Sequence, residues 1–338
     1  MQVHRSLNDL PVFRNAILTI GTFDGVHTGH QQILQQLKGE AQLVKGESVI
    51  ISFDPHPRKI IGRDSKQVHL LNTLDEKIEL LEKQGIDHLV LVPFTREFAN
   101  QPARDYVEKF LVEKFHPHTI IIGYDHQFGH NREGDYHLLE AMKGQFGFRV
   151  KEIPEHILHN SIISSTKIRN AVLEGNIESA NEYLGYAYFF EGTVVEGNKL
   201  GRTLGYPTAN IEIGNEEKLI PGNGVYAVEA EIRRGETETE NGKAKNNFSQ
   251  HQLSVARRPS SILKGMMNIG IRPTIGGVKR VIEVNIFDFN DDIYHQLLRV
   301  HIKSRLRDEV KFNGLEALKE QLAKDKAATE KWFSVHGS

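Results

Sequence analysis

Two histidines stand three residues apart in a glycine-rich turn near the start of the chain. Residues 17–30 read ILTIGTFDGVHTGH, in which an apolar run leads through the turn to His27 and His30. If a helix begins near Thr28, both imidazoles reach the space above its first turn. Free backbone N–H groups and the positive end of the helix dipole make that space attractive to anions. The pattern predicts a polyphosphate site whose donors stabilise an α-phosphate under attack while pyrophosphate leaves.

The same histidine pair could instead ligate a metal ion or pack within the core. A zinc site needs further ligands at suitable spacing, and no third ligand stands out around residues 17–30. The position directly after an apolar strand and a glycine turn favours phosphate binding over both alternatives.

A second glycine-rich segment, residues 192–210, reads GTVVEGNKLGRTLGYPTAN. Its glycines, Gly197 and Gly201 among them, predict a flexible loop, and Lys199 and Arg202 give that loop positive charge to cover phosphates. The string GxxxxGK[ST] does not occur in it, so the loop is not a P-loop.

The same segment ends in Pro-Thr-Ala-Asn, which places Thr208 and Asn210 two residues apart. On an extended backbone, such residues face the same side. A hydroxyl and an amide oxygen are hard ligands, and Mg²⁺ combines few protein oxygens with water and phosphate oxygens. The pair is therefore chemically suited to Mg²⁺.

Glu283 lies within RVIEVNIFDFNDD, a strand-like and largely apolar run. A buried carboxylate in such a strand would need a functional explanation, because an unpaired buried charge is costly. Service as the catalytic base for an alcohol would supply one. The alternative is a carboxylate that faces solvent from a half-exposed strand.

The elements that must position these residues differ between the two halves of the chain. In the first half, apolar strands at 16–21, 48–53, 88–93, 119–123 and 148–152 alternate with helices at 29–44, 74–84, 103–115 and 134–144. This alternation predicts a parallel sheet with helices on both faces. Ligands bind such sheets at the carboxyl ends of the strands, so the turns after Ile20, Ile51 and Ile122 are the candidate sites.

The alternation of strands and helices ends near residue 160. Residues 164–184 predict one or two short helices, and strands then follow at 188–196, 224–233, 261–271, 281–289 and 297–304, before a final helix at 314–332. Consecutive short strands punctuated by Gly and Pro predict an antiparallel barrel or sandwich. The polar residues 235–260 predict a mobile insertion. We expect two domains, 1–186 and 187–338.

Composition narrows the class of protein. The chain has 338 residues, of which 42 are basic and 44 acidic, a formal net charge of −2, and no cysteine. Disulfides, thiol nucleophiles and thiolate metal sites are therefore excluded. The balanced charge argues against a general nucleic-acid binder. The first 15 residues, MQVHRSLNDLPVFRN, lack the long apolar core of a signal peptide, and no apolar run approaches the length of a membrane span. We expect a cytoplasmic enzyme, either a monomer or a weak homo-oligomer, with no nucleic-acid or membrane partner.

Four ordered motifs resemble a known family. GTFDGVHTGH, SFDPHPR (52–58), GYDHQFGHNREGD (123–135) and ISSTKIRNAVLEGNIESANEYLG (163–185) are similar to the adenylyltransferase module of bifunctional riboflavin kinase/FAD synthetases. The resemblance implies a Rossmann-like nucleotidyltransferase domain in which His27 and His30 are catalytic and face ATP phosphates. The implied ATP and flavin contacts are Gly21, Phe23, Asp24, Gly29, Asp125, Gln127, Ser165, Thr166 and Arg169.

The second half resembles the riboflavin kinase module of the same family. The motifs are GRTLGYPTAN (201–210), PGNGVYAV (221–228), GMMNIGIRPTI (265–275), IEVNIFDFNDDIY (282–294) and RLRDEVKFNGLEALKEQL (305–322). The resemblance implies that Thr208 and Asn210 hold Mg²⁺ and ATP and that Glu283 activates the ribityl 5′-hydroxyl. The other implied contacts are Gly197, Lys199, Gly201, Arg202 and Arg307. The chain departs from the family pattern at His126, Gln127, Glu196 and His295.

The resemblance implies two ATP-dependent steps, from riboflavin to FMN in the C-terminal domain and from FMN to FAD in the N-terminal domain. Riboflavin, FMN, FAD and ATP would be the small-molecule partners, and Mg²⁺ the cofactor. Three alternatives differ from this hypothesis: a chain with only one active module, a non-catalytic flavin or nucleotide sensor that binds RNA, and a nucleotidyltransferase for another phosphorylated alcohol. The lack of an aromatic RNA-binding motif argues against the sensor. The PTAN segment argues against the third.

Overall fold

The computed structural model describes residues 1–62, 68–154, 163–197, 200–233, 262–274 and 277–336. The predicted insertion at 235–260 and the loop residue Lys199 lie outside these ranges. The contacts divide the chain into two compact units, Met1–Lys167 and Ile168–Ser338.

The first unit contains a parallel sheet with the strand order β1-β4-β3-β2-β5-β6. Its strands are β1 (Gln2–His4), β2 (Ile17–Ile20), β3 (Ser48–Asp54), β4 (His88–Pro93), β5 (Thr119–Gly123) and β6 (Arg149–Ile153). Consecutive residues along β2 to β5 are buried, so both faces of the inner sheet are covered. The predicted parallel sheet is confirmed.

Helices connect these strands. They are α1 (Thr28–Leu43), α2 (Pro57–Ile61), α3 (Leu74–Lys83), α4 (Arg96–Ala99), α5 (Ala103–Asp105, a π-helical stretch Tyr106–Val112, then Glu113–Phe115) and α6 (Tyr136–Phe146), with a 3₁₀ turn at His130–Arg132. A reciprocal capping box fixes the start of α3, because Thr73 accepts from the Glu76 N–H and Glu76 accepts from the Thr73 N–H. The four predicted helices are confirmed, with ends displaced by at most two residues.

The second unit contains a closed barrel in the order β10-β11-β8-β7-β12-β9. The strands are β7 (Phe189–Val195), β8 (Ala209–Glu212), β9 (Gly224–Arg233), β10 (Leu263–Thr274), β11 (Gly277–Ile286) and β12 (Leu297–Arg307). All of the pairs are antiparallel. Buried and less buried residues alternate along β7, as a wall with one inward face requires. The barrel is therefore confirmed over the sandwich.

The remaining helices are α7 (Ser165–Glu174), α8 (Ile177–Leu184), α9 (Leu200–Thr203) and the C-terminal α10 (Leu315–His336). Two short strands were not predicted, β1 at the sheet edge and β8 in the barrel. The strand predicted at 281–289 ends earlier, at Ile286, because the chain turns at Asp288 with φ 53°. None of the helices in the described parts of the chain has the length and apolar character that a membrane span requires.

Candidate active sites

The turn after β2 is braced by Asp24. The buried carboxylate accepts hydrogen bonds from the backbone N–H groups of Leu71 (3.0 Å) and Asn72 (3.3 Å). The Asp24 carbonyl accepts a hydrogen bond from the Ser165 hydroxyl (2.9 Å). Gly25 follows with φ 91°, a conformation that glycine adopts without strain. Asp24 therefore ties two other parts of the chain, the segment at Leu71 and Asn72 and the residue Ser165, to this turn.

His27 and His30 lie together at the N-terminus of α1. His27 is the N-cap, and its Nδ1 accepts a hydrogen bond from the His30 N–H (3.4 Å). The two rings stack with centroids 3.7 Å apart. Because Nδ1 accepts, a neutral His27 carries its proton on Nε2 and can donate it to a ligand. His30 Nδ1 is buried with no hydrogen-bond partner among the described residues.

Burial keeps both imidazoles neutral. It lowers the pKa of His27 to about 4, against a smaller opposing effect of Asp24. It lowers the pKa of His30 well below its usual value, and the charges of His27 and Lys77 act in the same direction. At neutral pH the pair therefore offers hydrogen-bonding groups to an anion rather than positive charge.

Small residues leave room for these rings. A Cβ atom at Gly29 would lie 3.3 Å from the His27 ring, and one at Gly21 would lie 3.1 Å from the Phe23 ring. The Phe23 ring in turn contacts His30, with centroids 5.0 Å apart. The sequence-predicted residues of the turn 21–30 thus form one packed group.

The other predicted residues of this site are placed differently. Asp125 and Gln127 are exposed in the segment that follows β5. Phe128 anchors that segment by stacking on Tyr106, with centroids 5.0 Å apart. The Thr166 hydroxyl accepts a hydrogen bond from Arg58 Nη2 (3.4 Å). Arg169 belongs to the part of α7 that clusters with the second unit.

Lys77 is a residue of this region that the motifs did not indicate. Its ammonium group donates to the Thr22 carbonyl (3.3 Å) and to the Ser52 hydroxyl (3.2 Å). A signal was present, because Lys77 lies four residues before the buried Leu81, on the same face of a predicted amphipathic helix. In the described ranges, no group of three or more histidine or acidic side chains is arranged to hold a metal ion.

The barrel brings Glu283 and Asn210 together. The two residues are cross-strand partners in β11 and β8, so their side chains point to the same face. Glu283 also pairs with Asn268 of β10 on its other side. Its carboxylate accepts from Arg272 Nη2 (2.8 Å), and its side chain is mostly buried. The predicted base is therefore a paired carboxylate beside a predicted Mg²⁺ ligand.

Two glycines approach the Thr208–Asn210 segment closely. A Cβ atom at Gly197 would lie 2.7 Å from Asn210 Oδ1, and one at Gly201 would lie 3.3 Å from the Thr208 hydroxyl oxygen. Asn285 holds the segment from β11 by donating to the Pro207 carbonyl (2.6 Å). Asn285 was not singled out from the sequence, since an asparagine in a strand gives no specific signal.

Arg307 and Arg202 have different surroundings. Arg307 makes a bidentate ion pair with Asp325 of α10, with Nε–Oδ1 and Nη2–Oδ2 distances of 2.8 and 2.6 Å. It therefore links the last barrel strand to the terminal helix. Arg202 is exposed on α9.

Comparisons with known proteins match both halves of the chain. Residues 10–167 match the family model described as FAD synthetase, and residues 184–333 match the one described as riboflavin kinase. The two matches follow each other in the order of the two units. They indicate two different modules in one polypeptide.

Relatives with both modules align over nearly the whole chain. A Haemophilus influenzae protein named bifunctional riboflavin kinase/FMN adenylyltransferase is 35% identical, covering 99% of this chain and 100% of the relative. A protein of the same name from Listeria monocytogenes is 36% identical, covering 95% and 93%. A crystal structure described as a macrolide-efflux protein from Streptococcus pneumoniae has a TM-score of 0.81 at 28% identity, covering 98% and 99%.

A parallel α/β sheet followed by a closed antiparallel barrel, with these matches, defines a two-module enzyme of flavin cofactor biosynthesis. More particularly, the chain belongs to the bifunctional riboflavin kinase/FMN adenylyltransferase family.

Proposed function

We propose that this chain makes FAD from riboflavin in two reactions, each of which consumes ATP. The barrel unit transfers the γ-phosphoryl group of ATP to riboflavin and releases ADP. The sheet unit transfers the AMP moiety of a second ATP to the resulting FMN and releases pyrophosphate. The observation that carries this proposal is the match of two different family models to successive parts of one chain.

In the sheet unit, an FMN phosphate oxygen attacks the α-phosphorus of ATP, and the bond to the β-phosphate oxygen breaks. The nucleophile is already ionised, so neither a base nor a covalent enzyme intermediate is needed, and alignment is the main task. The N-terminal amides of α1 and the Nε2–H group of a neutral His27 are suited to bind the triphosphate. His30 Nδ1, buried and unpartnered within the described chain, offers a further polar contact.

Asp24 supports this site because its Oδ1 accepts hydrogen bonds from two backbone N–H groups, and we assign it with the other ATP and flavin contacts. Gly21, Phe23 and Gly29 shape the space around the histidines. We assign Asp125 and Gln127, which are exposed after β5, to the flavin side. We assign Ser165 and Thr166 to the triphosphate, and the implied role of Arg169, which clusters with the second unit, stays a prediction.

In the barrel unit, the riboflavin 5′-oxygen attacks the γ-phosphorus of ATP and the bond to the β-phosphate oxygen breaks. Glu283 accepts the hydroxyl proton. The pair with Arg272 holds this carboxylate in a defined orientation on the face that Asn210 shares.

Thr208 and Asn210 would hold Mg²⁺ in this unit. Their neutral oxygens suit an ion that also binds phosphate, and a Cβ at Gly197 would fill the space beside Asn210 Oδ1. When bound, the ion neutralises negative charge on the transferred group. Gly197, the α9 residues Gly201 and Arg202, and Arg307 are assigned to the ATP and riboflavin site. The cysteine-free composition suits a reducing cytoplasm, and we propose that compartment.

The proposed function is tested with purified protein, riboflavin, ATP and MgCl₂, followed by separation of the flavins over time. We expect FMN to appear first and FAD later. With FMN in place of riboflavin, FAD and pyrophosphate should form in equal amounts. FMN that accumulates without FAD would show that the sheet unit is not an active FMN adenylyltransferase. Binding of flavin without any turnover would contradict both assignments.

A further inference from the structure

Lys77 is a buried cation beside the histidine turn. Lys77 is only 9% exposed, and its ammonium group donates to two neutral oxygens, the Thr22 carbonyl and the Ser52 hydroxyl. The Ser52 hydroxyl itself donates to the Thr22 carbonyl (3.3 Å). These three groups therefore connect helix α3, the turn after β2 and the carboxyl end of β3.

The contribution of this buried charge to the stability of the fold does not explain its position. Burial lowers the pKa of Lys77, while Asp24 and Asp54 oppose that effect. Lys77 is also the fourth residue of α3, near the helix terminus that already carries partial positive charge. A well-packed apolar side chain at this position would avoid the cost of burying an ammonium group. The position therefore calls for an explanation other than packing.

The Lys77 ammonium group contacts the turn that forms the candidate adenylylation site. Thr22 lies in the turn that leads to His27, and the positive charge of Lys77 contributes to the lowered pKa of His30. The buried ammonium thus contacts the backbone of the turn and acts electrostatically on one of its two imidazoles.

We propose that Lys77 is a positioning residue for adenylyl transfer, which fixes the turn after β2 and adds positive charge beside that turn. The proposal rests on the proposed function of the sheet unit. It assigns to Lys77 no contact with the substrate. Its effect is exerted through the Thr22 carbonyl and on His30, so the fixed charge favours an anionic ligand while the imidazoles remain neutral.

The test compares Lys77→Met, which keeps an unbranched side chain one atom shorter and removes its charge, with Lys83→Met. Lys83 lies on the same helix, is 63% exposed at its side chain and pairs with Glu79 on the surface. FAD formation from FMN and ATP is measured as kcat and KM, and the riboflavin kinase reaction of the same protein serves as an internal reference. We expect K77M to lower kcat for FAD formation about tenfold or more. K83M should match the wild type, and the kinase reaction should be unchanged in both variants.

The pH profile separates an electrostatic role from a structural one. The groups that act on Lys77 or His30 are Asp24, Asp54 and His27. Because K77M removes a neighbouring positive charge, His30 binds a proton more easily, and the acid limb of FAD formation should shift to higher pH. A side chain that only packs would leave that limb in place.

Wild-type kcat together with an unshifted acid limb in K77M would overturn the proposal, while FAD formation by the unmodified protein would still support the proposed function. Equal loss of both reactions in K77M would also overturn it, since the residue would then be structural. If K77M does not fold, Lys77→Gln decides, because it retains hydrogen bonding without charge. A folded K77Q with lower kcat and a shifted limb supports the proposal, whereas wild-type kinetics or failure to fold overturns it.

Discussion

At the scale of single residues, the stacked His27 and His30 rings define the chemistry of the sheet unit. Two neutral imidazoles can lie 3.7 Å apart, whereas two imidazolium cations at that distance would repel each other. The sequence left open whether the pair is charged. The structure favours neutral rings, because burial lowers the pKa of both.

Because His27 is buried in its neutral form, we expect the folded protein to lose stability in acid. The pKa of His27 is about 4 in the folded protein and about 6.5 when unfolded, so between these values the unfolded chain binds more protons. Stability is therefore lost as the pH falls from 6.5 towards 4. Between pH 7 and pH 5, His27 alone should account for about 2 kcal/mol.

Hydrogen–deuterium exchange of peptides from the sheet unit, corrected for intrinsic rates, measures this loss separately from the barrel. His27→Gln, which does not titrate here, should lose less stability over the same pH range. An identical loss in H27Q and the wild type would show that His27 is not the group responsible.

The sequence predicted residues that are neighbours along the chain better than residues brought together by folding. His27 and His30 share one turn, and Thr208 and Asn210 share one segment. Lys77, Ser52, Arg272 and Asn285 reach the two sites from other strands or helices. Such contacts depend on sheet order and strand register, which a single sequence does not specify.

At the scale of elements, strand β8 carries a site residue that the sequence predicted, Asn210, although the strand itself was not predicted. Only four residues long, Ala209–Glu212 follows Pro207 and lacks the long apolar run by which the other barrel strands were predicted. Yet the pairing of β8 with β11 sets Asn210 opposite Glu283. The residues were predicted, but the register that joins them was visible only in the structure.

The close approach of Gly197 to β8 gives a prediction for this element. A methyl group at position 197 would overlap the Asn210 amide, and overpacking of this kind typically costs about 1–3 kcal/mol, or roughly 5- to 150-fold in an equilibrium. Gly197→Ala should therefore lower FMN formation from riboflavin about tenfold. FAD formation from FMN should be unchanged.

Gly214→Ala is the matched control, because a Cβ at Gly214 would meet no atom within 4 Å. Initial rates of the two half-reactions, measured separately for both variants, give the comparison. Wild-type kinase activity in G197A would mean that the Asn210 amide does not need its present position.

At the scale of the whole molecule, one chain contains two different folds, and the hydrophobic pattern of the sequence differs between the two halves. The change from alternating strands and helices to consecutive strands predicted this correctly, because each pattern has its own period and connection length. The domain boundary at 186/187 stays a prediction. The contacts divide the chain after Lys167, and the second family match begins at residue 184.

The central claim is that each unit performs one of the two transfers. It is tested most directly by measuring both half-reactions in two variants, His27→Ala and Glu283→Ala, with circular dichroism as the check on folding. H27A should lower FAD formation from FMN about 10²-fold and leave FMN formation intact. E283A should lower FMN formation from riboflavin 10²–10⁴-fold, by order of magnitude, and leave FAD formation from FMN intact. If each folded variant instead lost both reactions to the same extent, the assignment of one reaction to each unit would be contradicted.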